Sequence, residues 1–279
     1  MAEPLVITAA ICGAEVTKEM NPAVPYTAEE LAEEAKRCFE EGARVIHLHV
    51  RYPDGRPTQD KEVFREAIEK IKEVAPEAII QVSTGGAVGM SVEERTQPLE
   101  LDPEFCTLTT GSVNFGDDVF LNTFPIIEAI ARKAVEHNVR MEIEVFDAGF
   151  VDNALYLVKK GVIPEPLHFD FVLGVRGGMT GTEDRLDFLL TTIPKGSTWM
   201  VAGVGRFELP LAKAAIARGG HVRVGLEDNI FISKGVLAKG SWELVREVVS
   251  YAREANRPIA TPEEAREILK IPRKSGRPH

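Results

Sequence analysis

The sequence is poor in cysteine, with only Cys12, Cys38 and Cys106. They form no C-x-x-C pair, and an odd count closes no disulfide framework, so a reduced, cytoplasmic setting is expected. A basic excess is also missing. The formal net charge is −10, which leaves no cationic surface for nucleic acid or an anionic membrane. A few local arginines can still hold a small anionic substrate. No apolar run approaches the roughly 18 residues of a membrane span. The first run, residues 5–12, follows no basic leader and is too short for a signal core. There is no strong linker, repeat or low-complexity segment. What is present is a chain of 279 residues, 44% hydrophobic and 27% charged. That composition is globular, and the length buries a large core without staples.

Eight short apolar runs alternate with amphipathic stretches. The runs cover 5–13, 44–50, 78–86, 105–111, 140–147, 167–175, 198–205 and 221–229. They are β-branched and nearly continuous, as strands buried on both faces are. Helices are expected between them. One opens at Thr27, where Glu30 completes a capping box, and stops at Gly42. Another opens at Thr261, with proline at its first position. Eight βα units in succession predict a (β/α)8 TIM barrel of the α/β class. The expectation is one catalytic domain over residues 1–279, with 261–279 as a C-terminal helix and a frayed tail. An open doubly wound sheet is the competing architecture. Its glycine-rich dinucleotide loop finds only a weak echo in GVGRFE.

In a barrel the chemistry gathers where strands end. Several runs here end in polar residues: Glu15 after the first, His47 and His49 on the second, Ser83 and Gly86 on the third. The fourth brings Thr107, Thr109 and Asn114, the fifth Glu142 and Glu144, and the eighth Arg223, Glu227 and Asp228. His47-Leu48-His49 is the sharpest signal. Side chains alternate along a strand, so both imidazoles share a face while Leu48 faces the helices. Two histidines and a carboxylate, for which Glu227 is the choice, make the ligand set of a catalytic zinc or similar ion. The alternative is a pair of core histidines bonded to barrel neighbours. His168 and His221 begin strands and His137 ends a helix, so these and His279 read as structural or solvent-facing. Arg223 inside a barrel requires an anion, either Glu142 or Glu144 or a substrate carboxylate. Glu144 and Asp228 could lie close together, and like charges push one pKa upward, which suits a general base; the alternative is a carboxylate that orients a histidine. The turn Ser83-Thr84-Gly85-Gly86 suits a carboxylate or oxyanion.

These residues, with the segments ITAAICGAEVT, GARVIHLHVR, IIQVSTGGAVG, LTTGSVNFGDD, FVLGVRGGMTG, VAGVGR and GGHVRVGLEDNIF, resemble the β-keto acid cleavage enzymes nearly end to end. The resemblance implies a zinc-dependent (Zn2+) barrel, usually a homo-oligomer such as a tetramer. It implies that a β-keto acid and acetyl-CoA give acetoacetate and a new acyl-CoA. It implies that His47, His49 and Glu227 bind the metal and that Asp228 is the base, with Arg223 and Glu144 as supports. Ser83, Gly86 and Thr107 would touch substrate. Where a relative acts on an amino-keto acid, a glutamate at the place of Glu15 holds the ammonium, so 3-keto-5-aminohexanoate is expected as substrate. Thr109 stands where relatives often carry asparagine, and its contact is open. Competing readings are a metal-dependent hydrolase or aldolase on the same barrel, and a non-enzymatic binding barrel. The hydrolases place HxH on the first strand, and polar ends on six strands disfavour a binding barrel.

Overall fold

The computed structural model describes residues 3–272 and 274. Eight parallel strands close into a barrel. They are β1 (Ile7–Ala10), β2 (Val45–Leu48), β3 (Ile79–Val82), β4 (Phe105–Thr109), β5 (Arg140–Val145), β6 (His168–Leu173), β7 (Thr198–Gly203) and β8 (His221–Val224). Neighbours in sequence are neighbours in the barrel, and β8 pairs with β1 through Ile7 and Val222. The expected barrel is therefore the fold.

Helices follow the strands: α1 (Ala28–Glu41), α2 (Lys61–Val74), α3 (Val92–Arg95), α4 (Phe124–Glu136), α5 (Ala148–Lys159), α6 (Glu183–Leu190), α7 (Glu208–Ala217) and α8 (Ser241–Glu254). The caps explain the boundaries of α1. The Thr27 hydroxyl accepts from Glu30 N, and the Glu30 carboxylate accepts from Thr27 N. Gly42 ends the helix at φ +126°, a conformation that a Cβ disfavours. A ninth helix, α9 (Pro262–Leu269), does not extend the βα repeat. Its Ala265 and Leu269 pack with Val6, Val45, Ile79 and Phe105 from the strand beginnings and close the barrel floor. Burying a leucine in this way contributes about 1.5–3 kcal/mol. Chemistry is left the other end, where two-stranded ribbons rise between strand and helix, among them Val113–Phe115 with Asp118–Phe120 and Phe231–Ser233 with Val236–Leu237.

Part of the expected frayed tail, with His279, lies outside the described residues. Lys274 is described, and its Nζ donates to the carbonyls of His137 and Asn138.

Candidate functional site

Strand alternation delivers the histidine pair as the sequence predicts. Leu48 is in the apolar core, while His47 and His49 turn into the barrel mouth with ring centroids 5.2 Å apart. Glu227 reaches them from the turn after β8. Two glycines permit that approach. A Cβ on Gly225 would lie 2.1 Å from Ala10 O, and one on Gly13 would lie 2.6 Å from Glu227 Cγ. Both also have positive φ. The turn is fixed by Glu227 N donating to Ala10 O and by Gly225 N donating to the Glu208 carboxylate.

Nε2 of His47 and Nε2 of His49 each stand 3.5 Å from Glu227 Oε1. One ligand atom from each of the three residues falls within 4.8 Å of the others. Register places Gln81 opposite His47, and Gln81 Oε1 lies 2.7 Å from His47 Nδ1. An amide oxygen only accepts, so Nδ1 carries the proton and the Nε2 lone pair is bare. Nε2 of His47 and Oε2 of Glu227 are buried without a hydrogen bond. Orphaned acceptors on two members of a trio whose ligand atoms fall this close together fit a cation. Burial pulls the His49 imidazole down to about 4, so it is neutral at pH 7 and ready to ligate. Burial also pulls on His47, but the Glu227 carboxylate outweighs it and the net direction is upward.

Arg223 sits beneath, 3% exposed. Its Nε and Nη2 clasp Asp228 at 2.9 Å each, Nη2 reaches Glu227 at 2.7 Å, and Nη1 faces Glu144 at 3.3 Å and Asp170 at 3.6 Å. One guanidinium against four carboxylates leaves negative charge uncompensated, which a divalent cation would balance. Burial pushes Asp228 upward against the pull of Arg223. It pushes Asp170 well up, with Glu142 adding to the effect. Glu227 is held well down because Arg223 and both histidines together overcome its burial.

The cavity over this cluster has a volume of about 300 Å³. Polar groups from Glu15, His49, Ser83, Glu144, Arg223, Glu227 and Asp228 line one part, and Phe115, Phe120, Phe146, Val172, Val175 and Val204 the rest. A larger cleft of about 650 Å³ runs past Arg65, Lys72, Glu104 and Arg266. It contains none of these groups, and its Lys72 and Arg266 are both turned to Glu104.

A family model described as beta-keto acid cleavage enzyme matches residues 4–271. The chain belongs to the β-keto acid cleavage enzyme family. Among its relatives in that family, a 3-keto-5-aminohexanoate cleavage enzyme of Fusobacterium nucleatum is 57% identical, over 97% of this chain and 99% of its own. One of Acetoanaerobium sticklandii is 55% identical, over 96% and 99%. A 3-oxoadipate:acetyl-CoA acetyltransferase of Cupriavidus necator is 38% identical, over 98% and 96%. The apo structure of ObcA superposes with a TM-score of 0.79 at 22% identity, over 90% of this chain and 66% of that one. That likeness bears on the fold alone. This family member is thus an enzyme. Among its described residues, no helix is long and apolar enough to cross a membrane.

Of the residues singled out from sequence, His47, His49, Glu227, Asp228, Arg223 and Glu144 converge. Glu15, Ser83 and Gly86 line the cavity, and Glu15 is exposed with no ion pair among the described residues. Thr107 does not line it. It is fully buried, its Oγ1 accepts from Thr84 N and its carbonyl from Thr84 Oγ1, so it braces the Ser83–Gly86 turn from below. That turn offers fewer free amides than expected. Ser83 N donates to Leu48 O, Thr84 N to Thr107, and Gly85 N to Ser83 Oγ. Of the anions open to Arg223, Glu144 is the one in place. The donors of Arg223 face protein carboxylates, so none is free for a substrate carboxylate, and Glu142 pairs with His168 instead.

Sequence reasoning missed Gln81 and Asp170, each a polar residue inside an apolar run, which was the available signal. Thr109, left open, donates to Glu144 Oε2 at 2.5 Å and holds it toward Arg223. The cysteines are buried, and burial pushes all three thiols up, Cys12 to about 12.

Proposed function

We propose that this chain is a divalent-metal-dependent enzyme that converts 3-keto-5-aminohexanoate and acetyl-CoA into acetoacetate and 3-aminobutyryl-CoA, by Claisen-type condensation, CoA transfer and retro-Claisen cleavage. The observation that carries the metal is the pair of orphaned buried acceptors, His47 Nε2 and Glu227 Oε2, beside neutral His49. These three residues would hold it, with zinc the first choice for an N,N,O set. A metal bound there withdraws charge from a keto oxygen and acidifies the adjoining C–H.

Asp228 takes that proton. Burial raises its basicity, and the Arg223 clasp on both oxygens fixes its direction. Glu144 and Thr109 hold Arg223 in turn. No covalent nucleophile is needed, in keeping with thiols that burial keeps protonated. Ser83 and Gly86 bound the substrate. Glu15, acidic and unpaired at the rim, would meet the substrate ammonium. High identity to two proteins named for this substrate, over nearly the whole chain, supports the choice. The same reading makes the enzyme a cytoplasmic homo-oligomer. Exposed Leu121, Phe124 and Tyr156 provide apolar surface for a second copy.

The test is a panel of β-keto acids mixed with acetyl-CoA and zinc-loaded protein, following acetoacetate and acyl-CoA. Hydrolysis without CoA, or cleavage without acetyl-CoA, would reject the reading. Glu15→Gln should lower kcat/KM for the amino-keto acid roughly tenfold more than for a neutral one, because a charge-assisted contact is lost. Equal losses would remove the ammonium contact.

A further inference from the structure

We propose that the loops after β6, β7 and β8 bind the phosphate-bearing nucleotide end of the CoA substrate, with Arg206 as the principal contact. The inference rests on the acetyl-CoA reading above. A cavity of about 300 Å³ takes a keto acid and an acetyl thioester but not a whole coenzyme. The adenosine and its phosphates must lie outside, on the barrel mouth. Charge decides which side. With a formal net charge of −10, the protein repels a polyanion except where local cations stand free.

The lysines and arginines on the mouth loops divide into two sets. After the first strands, every one is engaged. Lys18 pairs with Glu30 and Arg56 with Asp54, while Arg51 and Arg95 are buried and donate to backbone carbonyls. After β6, β7 and β8 they are not. Among the described residues Arg206, Lys234 and Lys239 have no side-chain ion pair, and Arg206 lies over the Phe207 ring at 4.8 Å, a contact that leaves its charge uncompensated. Arg176 meets only Asp117, at 3.5 Å, a longer and more exposed pair than the 2.7 Å Arg56–Asp54 contact and the weaker of the two. β6, β7 and β8 are adjacent in the barrel, so these free cations share one arc of the rim.

The backbone of that arc fixes where Arg206 stands. β7 runs through Gly203-Val204-Gly205 into a tight turn, Gly205–Phe207, and then into the ten-residue helix α7. Gly205 has φ +59°, and a Cβ on Gly203 would lie 2.5 Å from Phe207 O. No side chain caps the start of α7, and Glu208 directs its oxygens to Gly225 N and Asn229 Nδ2. The leading amides are taken, Gly205 N by Asp228 O, Phe207 N by Val204 O and Glu208 N by Gly205 O, so an anion here is left to the side-chain cations. Loops after the seventh and eighth strands are a recurrent phosphate site in this fold. Val175 and Val204, beside Arg176 and just before Arg206, line the cavity, so an apolar path for the pantetheine arm ends at these cations.

The experiment is calorimetric titration of the zinc-loaded protein with CoA and, separately, with pantetheine, which lacks the nucleotide. Arg206→Glu should weaken CoA binding by roughly tenfold or more, the value of one charge-assisted contact, and leave pantetheine unchanged. Lys159→Glu, the same charge change at the floor end of α5, should alter neither. In turnover, Arg206→Glu should raise KM for acetyl-CoA and spare KM for the keto acid. Unaltered CoA affinity in Arg206→Glu overturns the proposal. So does an equal loss of pantetheine, or an equal effect of Lys159→Glu. Because binding is read without turnover, a protein that grips CoA through Arg206 but cleaves nothing would sink the proposed reaction and leave this site standing.

Discussion

At the mouth of the barrel, His47 and His49 share β2 and converge on Glu227; at the floor, His168 and His221 begin β6 and β8 with ring centroids 6.5 Å apart. All four imidazoles are buried. They differ in what their nitrogens do. His168 spends Nδ1 on Thr198 and Nε2 on Glu142, and His221 accepts Val6 N at Nδ1. At the mouth, His47 spends Nδ1 on Gln81 and keeps Nε2 bare, beside a carboxylate oxygen that is bare as well. Burial does not mark a metal ligand. A bare acceptor alone does not either, since Glu142 Oε1 and both Asp170 oxygens lack hydrogen-bond partners too; what sets the mouth apart is that the unpartnered His47 Nε2 belongs to a trio, with His49 and Glu227, whose ligand atoms fall within 4.8 Å of one another.

The contrast can be broken most directly at His49. His49→Ala should lose bound metal and turnover together, with kcat down on the order of a thousandfold, the worth of several kcal/mol of charge stabilisation. Elemental analysis beside kinetics checks it, and an active, metal-free variant would erase the distinction between the two pairs. Asp228→Asn sharpens the division within the mouth. Metal content should hold while kcat falls roughly 10²–10⁴-fold, the usual contribution of a general base. At the floor, His168→Ala should leave metal per folded molecule unchanged. It should instead cost about 3–5 kcal/mol in a denaturant titration, because Glu142 is left buried without its partner.

The smallest effect is a pH dependence. Burial, aided by His168 and Arg257, pulls His221 from 6.5 down to about 3. Between those values the unfolded chain binds a proton that the folded one refuses. Stability should therefore fall as pH drops through that window, by at most about 1.4 kcal/mol per pH unit. His221→Phe should flatten the slope, and equal slopes in the two proteins would remove His221 as its source.

The resemblance and the strand pattern together made much of the site legible. The HLH alternation put two imidazoles on one face, and a carboxylate after the last strand supplied the third ligand. Less legible was anything that depends on who stands opposite. Gln81 fixes the His47 tautomer only because β2 and β3 pair with those residues in register. Thr107 ends beneath a turn, not at the cavity wall, because Thr84 of the neighbouring turn takes both its hydroxyl and its carbonyl. Arg223 is consumed by acids from β5, β6 and the β8 turn, and no local pattern announces how many will arrive.

The sequence by itself determined the eight strands, the caps and the inward face of each strand, because period and capping are local properties of the chain. Closure of the barrel decided the rest. It set which polar atoms found partners and which were left bare at the mouth, because hydrogen-bond satisfaction belongs to neighbours that the chain brings together only when the last strand meets the first.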